Sequence, residues 1–380
     1  MTGRAQPLAP LGLYLHFPWC VRKCPYCDFN SHPLRGSLDE AGYLKALQAD
    51  LHGALDDVAS GSIATVFCGG GTPSLFSADA FARLLDSLQP WLAADAEVTL
   101  EANPGTVEHH DFAAYRRAGI NRLSLGAQSF DPGKLARLGR IHGPEDTARA
   151  FARARDGGFD DINLDIMYAL PEQTAAEARA DLEHAVALAP EHVSWYQLTL
   201  EPKTEFARRP PILPVDDSVA EMEAAGYEIL AAAGYRRYEI SAYARPGRAC
   251  RHNVNYWQFG DYLGAGAGAH GKRTHATGTS GVTVLRTRKA SQPRLYLADP
   301  AATAVEPVAA DELVFEFMMN ALRLVDGVSW ACFERRTGRP AAAVTAWPEL
   351  VAHELVVPDR VAATPLGLRH LDGVLQRFLR

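Results

Sequence analysis

The chain has 380 residues, 47% of them hydrophobic and 22% charged, with a formal net charge of -7. This is the texture of an ordinary folded protein and excludes a disordered or collagen-like chain. The acidic balance argues against a broad nucleic-acid-binding face. No apolar run is long enough to span a membrane, and the opening MTGRAQPLAP lacks the apolar core of an export signal, so a cytoplasmic protein is expected.

In chain order, β-rich apolar runs at residues 11–17, 63–68, 98–101, 123–128, 162–167 and 193–200 alternate with helical patterns such as 38–55, 78–88, 174–188 and 219–233. Six strands alternating with helices predict a parallel sheet. Polar or glycine-rich groups sit at the end of nearly every strand: the cysteines after Phe17, Gly69 to Pro73, Asn103 and Pro104, Gln128, and Asp165 within the fifth. An open sheet would scatter these ends, whereas a barrel gathers them at one mouth. The pattern therefore predicts an α/β fold, an incomplete (β/α)6-type barrel over residues 1–235. After the Pro-rich stretch 208–214, a strand at 237–244 and the Gly/Ala-rich segment 263–271 read as an accessory region, 236–305, that closes the barrel. Helical patterns at 312–322, 329–337 and 366–379 predict a small α-rich, winged-helix-like C-terminal domain over 306–380. The paired His109 and His110 are expected at a helix start, facing solvent.

Cys20, Cys24 and Cys27 follow the first strand, separated by three and two residues. Thiolates are soft ligands suited to iron–sulfur clusters or zinc. Three of them leave a four-iron cube one ligand short, which frees one iron for a ligand from outside. Zinc is the alternative, but a closed zinc site normally takes four Cys or His ligands, and no partner CxxC exists here. Cys68, Cys250 and Cys332 stand apart and read as small buried hydrophobes. Gly69-Gly70-Gly71-Thr72-Pro73 permits close backbone approach, although a glycine triplet by itself marks only a tight turn. Glu101, Gln128 and Asp165 are polar groups in apolar strands, and each needs a partner.

CxxxCxxC after the first strand of a βα barrel, with Tyr26 before the last cysteine, resembles the radical S-adenosylmethionine (SAM) superfamily. The resemblance implies a 4Fe-4S cluster on Cys20, Cys24 and Cys27 whose open iron is chelated by SAM. It further implies one-electron cleavage of SAM to methionine and a 5'-deoxyadenosyl radical. In coproporphyrinogen-type members the matching positions bind SAM: Glu101 its amino acid end, Gln128 and Asp165 its ribose hydroxyls, and Arg140 its carboxylate, with Arg137 close by as a competitor. Tyr26 is expected on the adenine side, and Tyr14, Gly70, Gly71 and Thr72 complete the expected SAM set.

The segments YLHFPWC, CPYCDFNSH, GGGTPSLF, EANPGT, LSLGAQSF, LGRIH, NLDIMYALP and RHNVNYW extend the resemblance over nearly the whole chain. They are most similar to the HemW family, regarded as heme chaperones and related to oxygen-independent coproporphyrinogen III dehydrogenase. Two departures separate the chain from the dehydrogenase: Phe29 stands where that enzyme carries a fourth cysteine, and the dehydrogenase has a longer N-terminal extension. The implied function is to bind heme and pass it to apo-hemoproteins, with no catalytic residue assigned and no dehydrogenase activity expected. The alternative is that dehydrogenase itself, a radical decarboxylation of coproporphyrinogen III. His252, opening the HNxxYW motif, is implied as an axial heme ligand, set against a structural role, with Cys250 as a second choice. The sequence leaves open the heme acceptor and whether the chain pairs with a second copy.

Overall fold

The strands of the N-terminal half are Leu11–Phe17 (β1), Ile63–Gly70 (β2), Leu92–Ala102 (β3), Arg122–Gln128 (β4), Ile162–Tyr168 (β5) and His192–Gln197 (β6). They lie in sequence order and pair in parallel throughout. The computed structural model describes residues 10–105, 111–277 and 281–379, so the expected helix start at His109 and His110 lies outside the described residues.

Alternation along each strand decides what faces where. On β1, Leu11, Leu13, Leu15 and Phe17 belong to the main apolar core, which they share with Tyr43, Leu44 and Leu47 of the helix Glu40–Leu55. The intervening positions, Tyr14 and His16, face the lumen with Thr65 and Phe67 of β2. Continuing round the sheet, Glu97, Glu101, Arg122, Ser124, Asn163, Asp165, His192 and Ser194 hold the same phase. The outer face is thus apolar and covered by helices, and the inner face is polar.

The accessory residues depart from expectation in two ways. The stretch expected as one strand at 237–244 is a hairpin of Arg236–Glu239 (β7) and Ala242–Ala244 (β8), β8 pairing antiparallel with β6 and with β7, because Glu239 turns its carboxylate onto the Ser241 backbone N–H (2.9 Å) and hydroxyl (2.9 Å). On the far edge, Asp261–Ala265 (β9) joins β1 in parallel, as a seventh parallel strand, with Leu11 opposite Asp261 and Leu15 opposite Ala265. Its glycine is a spacing requirement: a Cβ at Gly264 would lie 1.9 Å from the His270 carbonyl oxygen. His270–Thr277 (β10), Gly281–Arg288 (β11) and Ala304–Pro307 (β12) then extend that edge antiparallel. Among the described residues the sheet runs β12-β11-β10-β9-β1-β2-β3-β4-β5-β6-β8-β7. Its two ends do not pair, so the barrel is incomplete.

A second apolar core, separate from the first, gathers Phe317, Leu322, Phe333, Trp347 and Val361 with Phe259 and Val284 of the β9–β11 edge. The C-terminal helices include Leu313–Ala321 and Trp330–Thr337, but the last expected helix divides at His370 into Pro365–Arg369 and Leu371–Gln376. His370 leaves helical geometry there, at φ −114° and ψ 30°.

The β9 edge is locked to the barrel by one buried carboxylate. Asp50, on Glu40–Leu55, accepts from the Gly266 backbone N–H (3.0 Å) and the Tyr296 hydroxyl (2.9 Å) and pairs with Lys289 at 2.5 Å. Asp50→Ala would leave the Lys289 ammonium buried without a counter-charge, a loss expected to cost about 3–5 kcal/mol. The urea midpoint should fall accordingly; an unchanged midpoint would show that this pair does not hold the edge.

Candidate functional site

The parallel strands bring their C-terminal ends to one mouth, and a cavity of about 440 Å³ opens there. Its walls include the three clustered cysteines, the glycine loop after β2, and Glu101, Gln128, Arg140 and Asp165.

The cysteine loop is drawn shut at its base. Trp19–Cys20 pairs in parallel with His32–Pro33, the His32 N–H donates to Pro18 O (2.7 Å), and the Leu34 N–H donates to Cys20 O (2.8 Å). Inside the loop, the Lys23 ammonium donates to the Phe29 (2.9 Å) and Ser31 (3.2 Å) carbonyls. Burial pushes the Cys20 and Cys27 thiols up from their ordinary values. Among the described residues, no three Cys, His, Asp or Glu side chains converge as ligands of a single metal ion. The three thiols line one cavity, and soft thiolates suit an iron–sulfur cluster in which three irons take one thiolate each.

The glycine loop lies directly on this base. Gly71 N–H donates to Phe17 O (2.7 Å) and Thr72 N–H to Trp19 O (2.7 Å). A Cβ at Gly71 would stand 2.6 Å from Trp19 O, so only glycine permits the approach. Gly70 has φ +111° and its N–H donates to Glu101 Oε2 at 3.1 Å. Burial first, and then the nearby Asp165, push the Glu101 carboxyl up to about 8. A cation placed here would reverse that shift.

Asp165 receives Ser124 Oγ (3.1 Å) on one oxygen and Asn163 Nδ2 (2.8 Å) on the other. Gln128 sits at φ +68°, a strained left-handed conformation for a side-chain-bearing residue. Asp181 braces the turn that follows, accepting from Ser129 Oγ (2.7 Å) and Phe130 N–H (2.6 Å), and Tyr196 O–H donates to Gln128 Oε1 (2.8 Å). The Arg140 guanidinium lies 3.9 Å from Cys24 Sγ and donates to Gly126 O (2.7 Å). Arg137 instead pairs with Glu172 and lies outside the cavity wall. Tyr26, Gly70, Gly71 and Thr72 all line the cavity.

Two expected ligands are not presented to it. Tyr14 does not line the cavity; its ring stacks on Phe67 in the lumen (6.3 Å between centroids) and its hydroxyl bonds His16 Nδ1 (3.0 Å). His252 is 1% exposed, and both its ring nitrogens are engaged, Nδ1 with Thr65 Oγ1 (2.8 Å) and Nε2 with the Tyr256 hydroxyl (2.9 Å). It sits on the helix Arg251–Trp257, whose first N–H groups are capped by Glu97: Arg251 N–H at 3.0 Å and His252 N–H at 3.1 Å. Burial holds its pKa down at about 3. In this structure His252 is a satisfied core residue and not an open axial ligand, and Cys250, equally buried, is no better placed.

Sequence reading missed His16, Tyr196 and Asp181. His16 is the most telling of the three: its Nε2 donates to Asn30 O (2.8 Å), which ties the far end of the cysteine loop to β1. A histidine at a lumen-facing strand position was the available signal.

A carboxyl that holds its proton to about pH 8 when folded, against an ordinary value near 4.5, stabilises the fold below the lower value. That contribution disappears as pH rises through the higher one. Relative to Glu101→Gln, the ligand-free wild type should therefore lose thermal stability steadily between about pH 5 and 8. Parallel melting curves across this range would refute the buried-carboxyl assignment.

Comparison with known proteins agrees with this geometry. Residues 14–185 match the family model of the Radical SAM superfamily, and residues 308–354 match that of the HemN C-terminal domain. In fold the chain is similar to coproporphyrinogen III oxidase (HemN) from Escherichia coli, described as a radical SAM enzyme, with a TM-score of 0.77, 21% identity, and 97% and 90% of the two chains covered. In sequence it is 49% identical over 333 residues to the heme chaperone HemW of Escherichia coli, covering 87% of each chain. It is 47% identical to that of Haemophilus influenzae, covering 98% of each. With this identity sustained through both the barrel and the C-terminal unit, the chain belongs to the HemW family of radical SAM proteins.

Proposed function

We propose that the protein is a heme chaperone that binds heme and passes it to apo-hemoproteins, and that it carries a 4Fe-4S cluster and SAM at the mouth of its barrel. The observation that carries this reading is the convergence of three thiols, a guanidinium, two half-buried carboxyls and a glycine loop on one cavity, in a chain 47–49% identical to proteins named heme chaperones.

Cys20, Cys24 and Cys27 would hold the cluster, each supplying one thiolate. When bound, the cluster and SAM supply one-electron chemistry. The residues around them bind and orient. Glu101 and the backbone of Gly70, Gly71 and Thr72 suit the N–H groups at the amino end of SAM, and the Arg140 fork suits its carboxylate. Asp165 and Gln128 offer acceptors to the ribose diol, and Tyr26 offers a ring face to adenine. A SAM cation beside Glu101 would favour the ionised carboxylate, so binding should release a proton near neutral pH.

Heme would contact a surface other than the His252 pocket, since that imidazole has no nitrogen to give without unfolding its surroundings. No helix among the described residues is long and apolar enough to cross a membrane. Phe29, 59% exposed in the cysteine loop, stands where the related dehydrogenase carries a cysteine, which supports chaperone over dehydrogenase.

Anaerobic reconstitution, followed by heme titration and a coproporphyrinogen turnover assay, tests the proposal. Saturable heme binding near one per chain is expected, with no decarboxylated product in the presence of SAM and reductant. His252→Ala should leave the heme spectrum unchanged while lowering thermal stability. Accumulation of product over many turnovers would contradict the chaperone reading, and a changed heme spectrum in the variant would return His252 to the ligand set.

A further inference from the structure

Below Asp165, a chain of hydrogen bonds links residues of four strands, β4 to β7. Asn163 Oδ1 accepts from the Ser194 backbone N–H at 3.0 Å, and because that N–H can only donate, the orientation of the amide is settled. His192 Nδ1, 2.6 Å from the same oxygen, must then carry the imidazole proton. Its Nε2 consequently accepts from the Tyr238 hydroxyl at 2.9 Å. On the other side, Asn163 Nδ2 gives its two hydrogens to Asp165 Oδ1 (2.8 Å) and Ser124 Oγ (2.8 Å), and Ser124 passes its own to Asp165 Oδ2 (3.1 Å). Every donor in the series points toward Asp165.

The placement follows from strand register: Ser124 lies opposite Asn163, Asn163 opposite His192, and Asp165 opposite Ser194. Asn163 and His192 are 2% and 1% exposed, so neither can exchange its partner for solvent. Tyr238 is fixed in turn, since its carbonyl accepts from the Val325 N–H at 3.0 Å. Asp165 is thus held by Asn163 and Ser124, with the Ser194 side chain also against it, and it lines the cavity.

We propose that the series Tyr238, His192 and Asn163 is a positioning device that aims the Asp165 carboxylate at the ribose hydroxyls of SAM. The inference rests on the reading of Asp165 as a ribose ligand. His192 and Tyr238 touch no ligand themselves; they act through Asn163, and their effect on SAM should vanish when Asp165 is absent.

Four cluster-reconstituted proteins test this by anaerobic calorimetry with SAM: wild type, Tyr238→Phe, Asp165→Ala and the double variant. Tyr238→Phe should weaken SAM roughly 3- to 10-fold in the wild-type background, the scale of one neutral hydrogen bond. In the Asp165→Ala background it should produce no further loss. Equal losses in both backgrounds would mark Tyr238 as merely structural and overturn the proposal, as would no loss in either. If Asp165→Ala alone leaves SAM affinity unchanged, the ribose reading itself falls and takes the device with it. His192→Asn enters the same series one bond further in and should reproduce the pattern if Tyr238→Phe does not fold.

Discussion

The inward positions of the parallel strands are polar, and the lumen they enclose is narrow, so these side chains must satisfy one another. Leaving one buried and unpaired costs about 1–3 kcal/mol. The structure meets this requirement level by level. At the bottom, Glu97 caps the helix Arg251–Trp257, whereas Arg122 Nε and Asp161 Oδ1, 3.6 Å apart, pair as charges without a hydrogen bond. In the middle, Asn163 reads out to His192 and up to Asp165. At the top, Glu101 and Asp165 have fewer partners than their capacity, and that surplus is what a ligand can use.

The mouth is organised by backbone contacts that side-chain chemistry cannot replace. Gly71 and Thr72 dock on the carbonyls of Phe17 and Trp19, which ties the glycine loop to the root of the cysteine loop. Gly139 plays a similar part from the opposite wall. It sits at φ +68°, with Pro25 where a Cβ would lie 2.8 Å away, so the centre of the cysteine loop can pack on the turn that carries Arg140. The cysteine loop, Glu101 and Arg140 are thereby held in one cavity although the loop and Arg140 lie more than a hundred residues apart in the chain.

The six first strands were legible because each is an apolar run bounded by turn residues, and β1 begins and ends where the sequence pattern predicts. The seventh parallel strand was not, because its Gly264 and Ala265 answer to a close backbone approach and carry little β signal. The cysteines, Glu101, Gln128 and Asp165 were legible as groups at or near strand ends and Arg140 through the resemblance of its LGRIH segment, and the structure lines one cavity with all of them. Tyr14 and His252 sit elsewhere than expected for the same reason: residue type and motif do not reveal which side chains already spend their hydrogen-bonding capacity inside the lumen. Asp181 and Tyr196 escaped notice because they act on Gln128 from separate elements, a pairing that only the fold creates.

If Cys20, Cys24 and Cys27 hold a four-iron cluster with one iron open toward Glu101 and Arg140, that iron should take the amino nitrogen of SAM. Electron–nuclear double resonance on the reduced, reconstituted protein, with SAM carrying 15N at its methionyl amino group, measures this directly. The expected result is a nitrogen hyperfine coupling that appears only with labelled SAM and a cluster signal that changes on its addition. A cluster signal indifferent to SAM, with no nitrogen coupling, would contradict the account.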